Sequence, residues 1–123
     1  MGYFLVGAQI TMKKHETLTI SIEEKEKKII TLIFVGKFNI ESVPLFDDKY
    51  YSLINTDIRT IYLNFKKLTY IDSSGIGALI RALNVAKKSN IEFILYDVQE
   101  AVHKILEQAY IDKYFTFIEP GSK

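Results

Sequence analysis

The 123-residue sequence predicts an α/β domain: a mixed β-sheet in the order β-β-α-β-α-β-α-β, with amphipathic helices packed on it. Three observations predict it. Two strand-like runs stand together near the start, one alternating and one continuously apolar. Three later segments repeat their apolar residues at helical spacing. Short apolar, β-branched runs separate those segments, as β-α-β units with parallel neighbours require.

In LTISIEE (18–24), Leu18, Ile20 and Ile22 face one way and Thr19, Ser21 and Glu23 the other, so it reads as a half-buried strand. The charged EEKEKK (23–28) fits a solvated hairpin turn. IITLIFVG (29–36) is the expected central strand, covered on both faces and ended by Gly36. Phe46, Tyr50, Leu53 and Ile54 mark the first helix; Ser42 is its expected N-cap, and Pro44 falls in the first turn, where it is tolerated. RTIYLNF (59–65) is a strand, with KKLTYIDSSG as its connection to the second helix. That helix carries Ile76, Leu79, Ile80 and Leu83 on one stripe, and Lys87 and Lys88 complement its dipole at the end. IEFILYDV (91–98) is the next strand. Asp97 and Glu100 have the spacing of a capping box before a third helix marked by Val98, Val102, Ile105, Leu106 and Ala109. YFTFIE (114–119) closes the sheet as an edge strand.

The length suits one domain, placed at 18–119 between an N-terminal arm or extra strand (1–17) and a C-terminal tail (120–123). In the arm, the apolar stretch Tyr3–Val6 is too short to span a bilayer, and no basic residue precedes it as in a signal peptide. Val6 stands where a myristoylation motif has Ser or Thr, and Met12 offers an alternative start. The formal net charge of +1 gives no field that advertises a nucleic-acid or membrane partner. With no cysteine in the chain, disulfides, thiolate metal sites and cysteine nucleophiles are excluded.

The stretch that asks for a function is YIDSSGIGALIRAL (70–83), which sets two serines at the mouth of a helix. A nucleophile elbow needs G-x-S-x-G, and neither I-D-S-S-G nor D-S-S-G-I has the first glycine. The only histidines are His15 and His103, so no obvious base accompanies the serines and no metal-binding spacing is present. Gly75-Ile76-Gly77 is only half of a dinucleotide fingerprint, because position 80 is Ile. Phosphorylation is the third chemistry: a helix N-terminus tolerates an anion, and a phosphoserine adds roughly −1.5 to −2 charges. Beside Asp72, that charge would oppose a partner docked on Ile76. A plain helix cap by Asp72 or Ser73 explains the same residue types and stays open beside it.

LNFKKLTYIDSSGIGALIRALNVAKK (63–88) resembles the signature of STAS domains, in particular the bacterial anti-sigma-factor antagonists: an apolar strand, then D-S-[ST]-G-[LIM]-G, then an amphipathic helix. GKFNIESV and AYIDKYFTFIE resemble the family's second strand end and its closing passage, and the element order agrees with a STAS-like fold. The resemblance implies a partner switch. An unphosphorylated antagonist binds an anti-sigma factor that is also a serine kinase, and so frees a sigma factor for transcription. The kinase phosphorylates the residue matching Ser73, and a serine phosphatase reverses it. Asp72, Ser74, Gly75, Ile76 and Gly77 would line the docking loop, and Asn39 stands where the family often has an aspartate. The resemblance further implies a cytoplasmic protein that is not an enzyme, has no catalytic residue, metal or cofactor of its own, and contacts neither nucleic acid nor membrane. An exposed edge strand or the arm would allow a homodimer. The alternative is a non-switching STAS interaction module or scaffold in a signalling assembly. A small-ligand sensor using the Ser73–Gly77 loop ranks last.

Overall fold

The computed structural model describes residues 18–26, 28–54 and 57–118. The expected arm at 1–17 and tail at 120–123 lie outside them. The elements are β1 (Leu18–Glu26), β2 (Ile29–Phe38), α1 (Val43–Ile54), β3 (Thr60–Ile71), α2 (Ser73–Lys88), β4 (Glu92–Tyr96), α3 (Glu100–Gln108), a 3-10 turn (Asp112–Tyr114) and β5 (Thr116–Ile118). The strands form one sheet in the order β1-β2-β3-β4-β5. β1 and β2 are antiparallel, and every later pair is parallel.

The core lies between the sheet and its helices. Leu32, Phe34, Leu63, Phe65 and Leu95 are fully buried on the strands, facing Phe46 and Tyr50 of α1 and Ala78, Leu79 and Ala82 of α2. Phe46 packs its ring against Phe34 and Phe38 at centroid distances of 5.9 and 5.0 Å. The Tyr50 hydroxyl donates to the Ala82 carbonyl at 2.8 Å, tying α1 to α2. At the other end of the sheet, His103 of α3 packs its ring on Phe117 of β5.

Several boundaries differ from the expectation, each for a physical reason. β1 continues to Glu26 through a register shift between Glu24 and Glu26, so EEKEKK is mostly solvated strand. Lys28, just before Ile29, is in a turn at φ 71°. Gly36 does not end β2. It sits at φ 120° beside a register shift between Gly36 and Lys37, where its missing side chain admits the bend, and the strand runs on to Phe38. The second face of β2 is covered only in its first half: Thr31 is buried there, opposite Ile30, Leu32, Phe34 and Phe38, whereas Val35 is 42% exposed.

The largest difference is at β3. KKLTYI is not a connection but the second half of the strand, which runs 12 residues. It pairs with β4 only as far as Asn64, then continues along β2 alone, from Val35↔Lys67 to Phe38↔Ile71. The Asn64 side chain accepts the Lys66 N–H at the bulge. Leu68 and Ile71 are buried, which anchors the extension.

The helix ends differ as well. Ser42 holds the N-cap position of α1, its carbonyl accepting from Phe46 N–H at 3.2 Å, but its hydroxyl turns back onto the preceding segment, accepting from Asn39 N–H at 2.9 Å and donating to the Lys37 carbonyl at 3.0 Å. The N-cap of α3 is Gln99, not Asp97. Asp97 occupies a left-handed position (φ 60°) after β4, and the Gln99 side chain donates to the Lys66 carbonyl. In α2 the buried ridge is built from Ala78, Leu79, Ala82, Leu83 and Ala86, with Ile76 and Ile80 only partly buried. Small residues let the helix lie close to the sheet, so its packing face is rotated from the branched-residue stripe.

Candidate functional site

The site lies where the parallel strands β2 and β3 end together. Phe38 and Ile71 are paired across the ladder, and the Asp72 N–H donates to the Phe38 carbonyl at 3.1 Å. This register brings the Asn39–Ser42 turn, which leads to α1, beside the first turn of α2.

Asp72 is the N-cap of α2, in extended backbone with φ −108° and ψ −175°. Its two carboxylate oxygens have different partners. Oδ1 accepts from Gly75 N–H at 2.9 Å, which satisfies one of the helix's unpaired donors. Oδ2 accepts from Ile40 N–H at 3.2 Å, a residue 32 positions earlier in the chain. The carboxylate therefore caps the helix and also pins the turn.

Ser73 is the first helical residue and is exposed; Ser74 is half-buried. The two glycines differ in what fixes them. A Cβ on Gly75 would stand 2.5 Å from the Phe38 carbonyl oxygen and 2.8 Å from Ile71 Cγ1, so the fold leaves no room there. A Cβ on Gly77 would meet nothing nearer than Arg81 Nη1 at 3.8 Å. Packing explains Gly75 and does not explain Gly77. Ile76 is half-buried, one turn from Ile80 on the rim of the core.

Asn39 lies at the level of Asp72, as the sequence places it, and its side chain builds the turn: Oδ1 accepts from Glu41 N–H at 3.1 Å. All the residues singled out from sequence thus gather at one end of the sheet. One neighbour was missed. Ile40, 68% exposed, stands at the turn between Asn39 and Glu41. A single isoleucine between a strand and a helix carries no sequence signal; only the bond from its N–H to Asp72 brings it to the site.

His103 sits on α3 with Nδ1 3.3 Å from Glu107 Oε2 and its ring on Phe117, while His15 lies outside the described residues. Among the described residues, no group of three or more His, Cys, Asp or Glu side chains could hold a metal ion. No described helix is long and apolar enough to cross a membrane.

A model of the STAS domain matches residues 19–120. The anti-sigma-B factor antagonist of Staphylococcus aureus (strain NCTC 8325) is 22% identical over 72 residues, which are 58% of this chain and 67% of that protein. The anti-sigma factor antagonist SpoIIAA in its unphosphorylated form superposes with a TM-score of 0.73 at 18% identity, covering 85% of this chain and 90% of that one. The phosphorylated form of SpoIIAA from Bacillus gives a TM-score of 0.68 at 17% identity, covering 85% and 93%. An anti-sigma factor antagonist from Mycobacterium paratuberculosis gives 0.73 at 13% identity, covering 85% and 87%. At these identities the structural likenesses establish the fold.

Proposed function

Because the chain belongs to the STAS domain family, we propose that it is an anti-sigma-factor antagonist. It binds an anti-sigma factor that is also a serine kinase, and phosphorylation of Ser73 controls that binding. The observation that carries this reading is Ser73, an exposed residue at the first position of α2, beside a capping carboxylate and near the sterically uncommitted Gly77. An incoming enzyme reaches this residue without disturbing the core.

In the transfer, Ser73 Oγ attacks the terminal phosphorus of ATP held by the kinase. The Oγ–P bond forms, the P–O bond to ADP breaks, and the hydroxyl proton passes to a base of the kinase. ATP and its magnesium belong to the kinase, and the chain described here is substrate rather than enzyme. A serine phosphatase returns the hydroxyl. The helix N-terminus tolerates the added phosphate, so the fold survives. The interface does not: a partner covering Ser73 would have to desolvate a dianion next to Asp72, which costs several kcal/mol, and about 3 kcal/mol already weakens affinity more than a hundredfold. The docking loop comprises Asp72, Ser74, Gly75, Ile76 and Gly77, with Asn39 shaping its far side. The reading places the switch in the cytoplasm, where sigma factors act.

The test is purification from the native host, followed by mass spectrometry of the 63–88 segment and assay of any co-purified kinase. One phosphoryl group is expected on Ser73, absent in Ser73→Ala; Ser73→Ala should bind the kinase constitutively and Ser73→Asp about a hundredfold more weakly. Tight binding with no phosphate transfer would favour the non-switching interaction module.

A further inference from the structure

The reading of Ser73 as the switch leaves open how far its chemical state is felt beyond its own side chain. Asp72 supplies a route. One carboxylate holds two chain segments: Oδ1 holds the first turn of α2 through Gly75 N–H at 2.9 Å, and Oδ2 holds the Asn39–Ser42 turn through Ile40 N–H at 3.2 Å. The residue it pins, Ile40, presents an apolar side chain that is 68% exposed. Specific interfaces cover about 800 Å² on each partner. A protein that seats its active site on Ser73 therefore also meets Ile40, one carboxylate away from the preceding residue.

We propose, resting on the function given above, that Asp72 is a latch: it fixes Ile40 while Ser73 is free, and releases it when Ser73 is phosphorylated. The ester formed by transfer from a nucleoside triphosphate places a dianion on the residue next to the carboxylate. The two like charges on neighbouring residues repel, and that repulsion strains both bonds the carboxylate makes. Of the two bonds, the one to Ile40 is longer, exposed and formed with a segment 32 residues away. The bond to Gly75 lies within the same helical turn and is kept close by chain continuity. The Ile40 bond is the one that yields. Release stays local, because Asn39 and Ser42 keep their own bonds within the turn and Phe38 stays paired with Ile71. Phosphorylation then acts twice on docking, by adding charge at Ser73 and by loosening a pre-organised apolar contact.

The latch can be tested without any kinase. The full chain is made with phosphoserine installed at position 73 during translation, and amide hydrogen exchange is measured by NMR against the unmodified chain. The expected result is about tenfold faster exchange at Ile40, the factor that one charge-assisted hydrogen bond confers, with Gly75 within about twofold. Asp72→Asn, which keeps the shape but removes the charge and one acceptor oxygen, should speed exchange at Ile40 by itself and leave phosphoserine little to add. An Ile40 amide unchanged by the phosphate, or changed equally in Asp72→Asn, overturns the latch. Failure to find any kinase for Ser73 would instead overturn the proposed function and leave the exchange result intact.

Discussion

Gly75 and Gly77 stand two residues apart on one helix and make opposite predictions. Gly75→Ala forces a methyl group to within 2.5 Å of the Phe38 carbonyl, where the neighbour is backbone and has little freedom to give way. Urea unfolding is expected to show a loss of about 2–3 kcal/mol. Gly77→Ala meets only Arg81 Nη1, at an ordinary contact distance of 3.8 Å, and replaces a poor helix former with the best one, so it is expected to stabilise the protein by about 0.5–1 kcal/mol. If the bare backbone at Gly77 serves a docking partner, the same variant loses affinity while gaining stability. A fold-only role for Gly77 predicts no such loss. Asp72→Ala removes both bonds of the carboxylate and is expected to cost about 1–2 kcal/mol, measured the same way.

The α1–α2 contact has a buried polar tie inside its apolar interface, beside the more exposed Arg81–Asp47 pair at 3.5 Å. Tyr50 is fully buried, and its hydroxyl donates to the Ala82 carbonyl. Burial, with a smaller contribution from the neighbouring Tyr51, pushes the Tyr50 phenol far above its ordinary value of 10.0. Tyr51 is raised too, mainly by burial and then by Asp47, with Arg81 opposing. Below pH 10 the phenol is neutral in both folded and unfolded chains, and this stabilisation is fully present. Above it the unfolded chain releases the proton that the folded chain retains at Tyr50, so stability falls by about 1.4 kcal/mol per pH unit from that group. Tyr50→Phe is expected to lose about 1 kcal/mol at pH 7, and its stability should fall less steeply above pH 10. Unfolding curves at neutral and alkaline pH measure both effects.

Across the whole molecule, an aromatic cluster joins elements that are distant in sequence. Phe34 lies 4.8 Å from Phe65, 5.7 Å from Phe38 and 5.9 Å from Phe46, so one β2 side chain touches β3 and α1 as well as its own strand. Phe34→Ala should therefore cost about 3–5 kcal/mol, a large share of the roughly 5–15 kcal/mol that keeps a domain folded. Denaturant titration is expected to show that drop. An equally large loss from an exposed strand residue such as Val35→Ala would contradict this placement of the core.

What the sequence determined by itself was local and periodic. Alternation along β1, helical spacing in α1 and α2, and the D-S-S-G-I-G run all depend on residues near one another in the chain, so element order and the residues of the candidate site could be read directly. What only the tertiary structure decided was register. KKLTYI lacks clear alternation and is strand because β2 outruns β4 and gives it a partner. Ile40 reaches Asp72 for the same reason: pairing Phe38 with Ile71 brings together two segments 32 residues apart. Such a contact is fixed by backbone hydrogen bonds between strands, whose alignment no short stretch of side chains encodes.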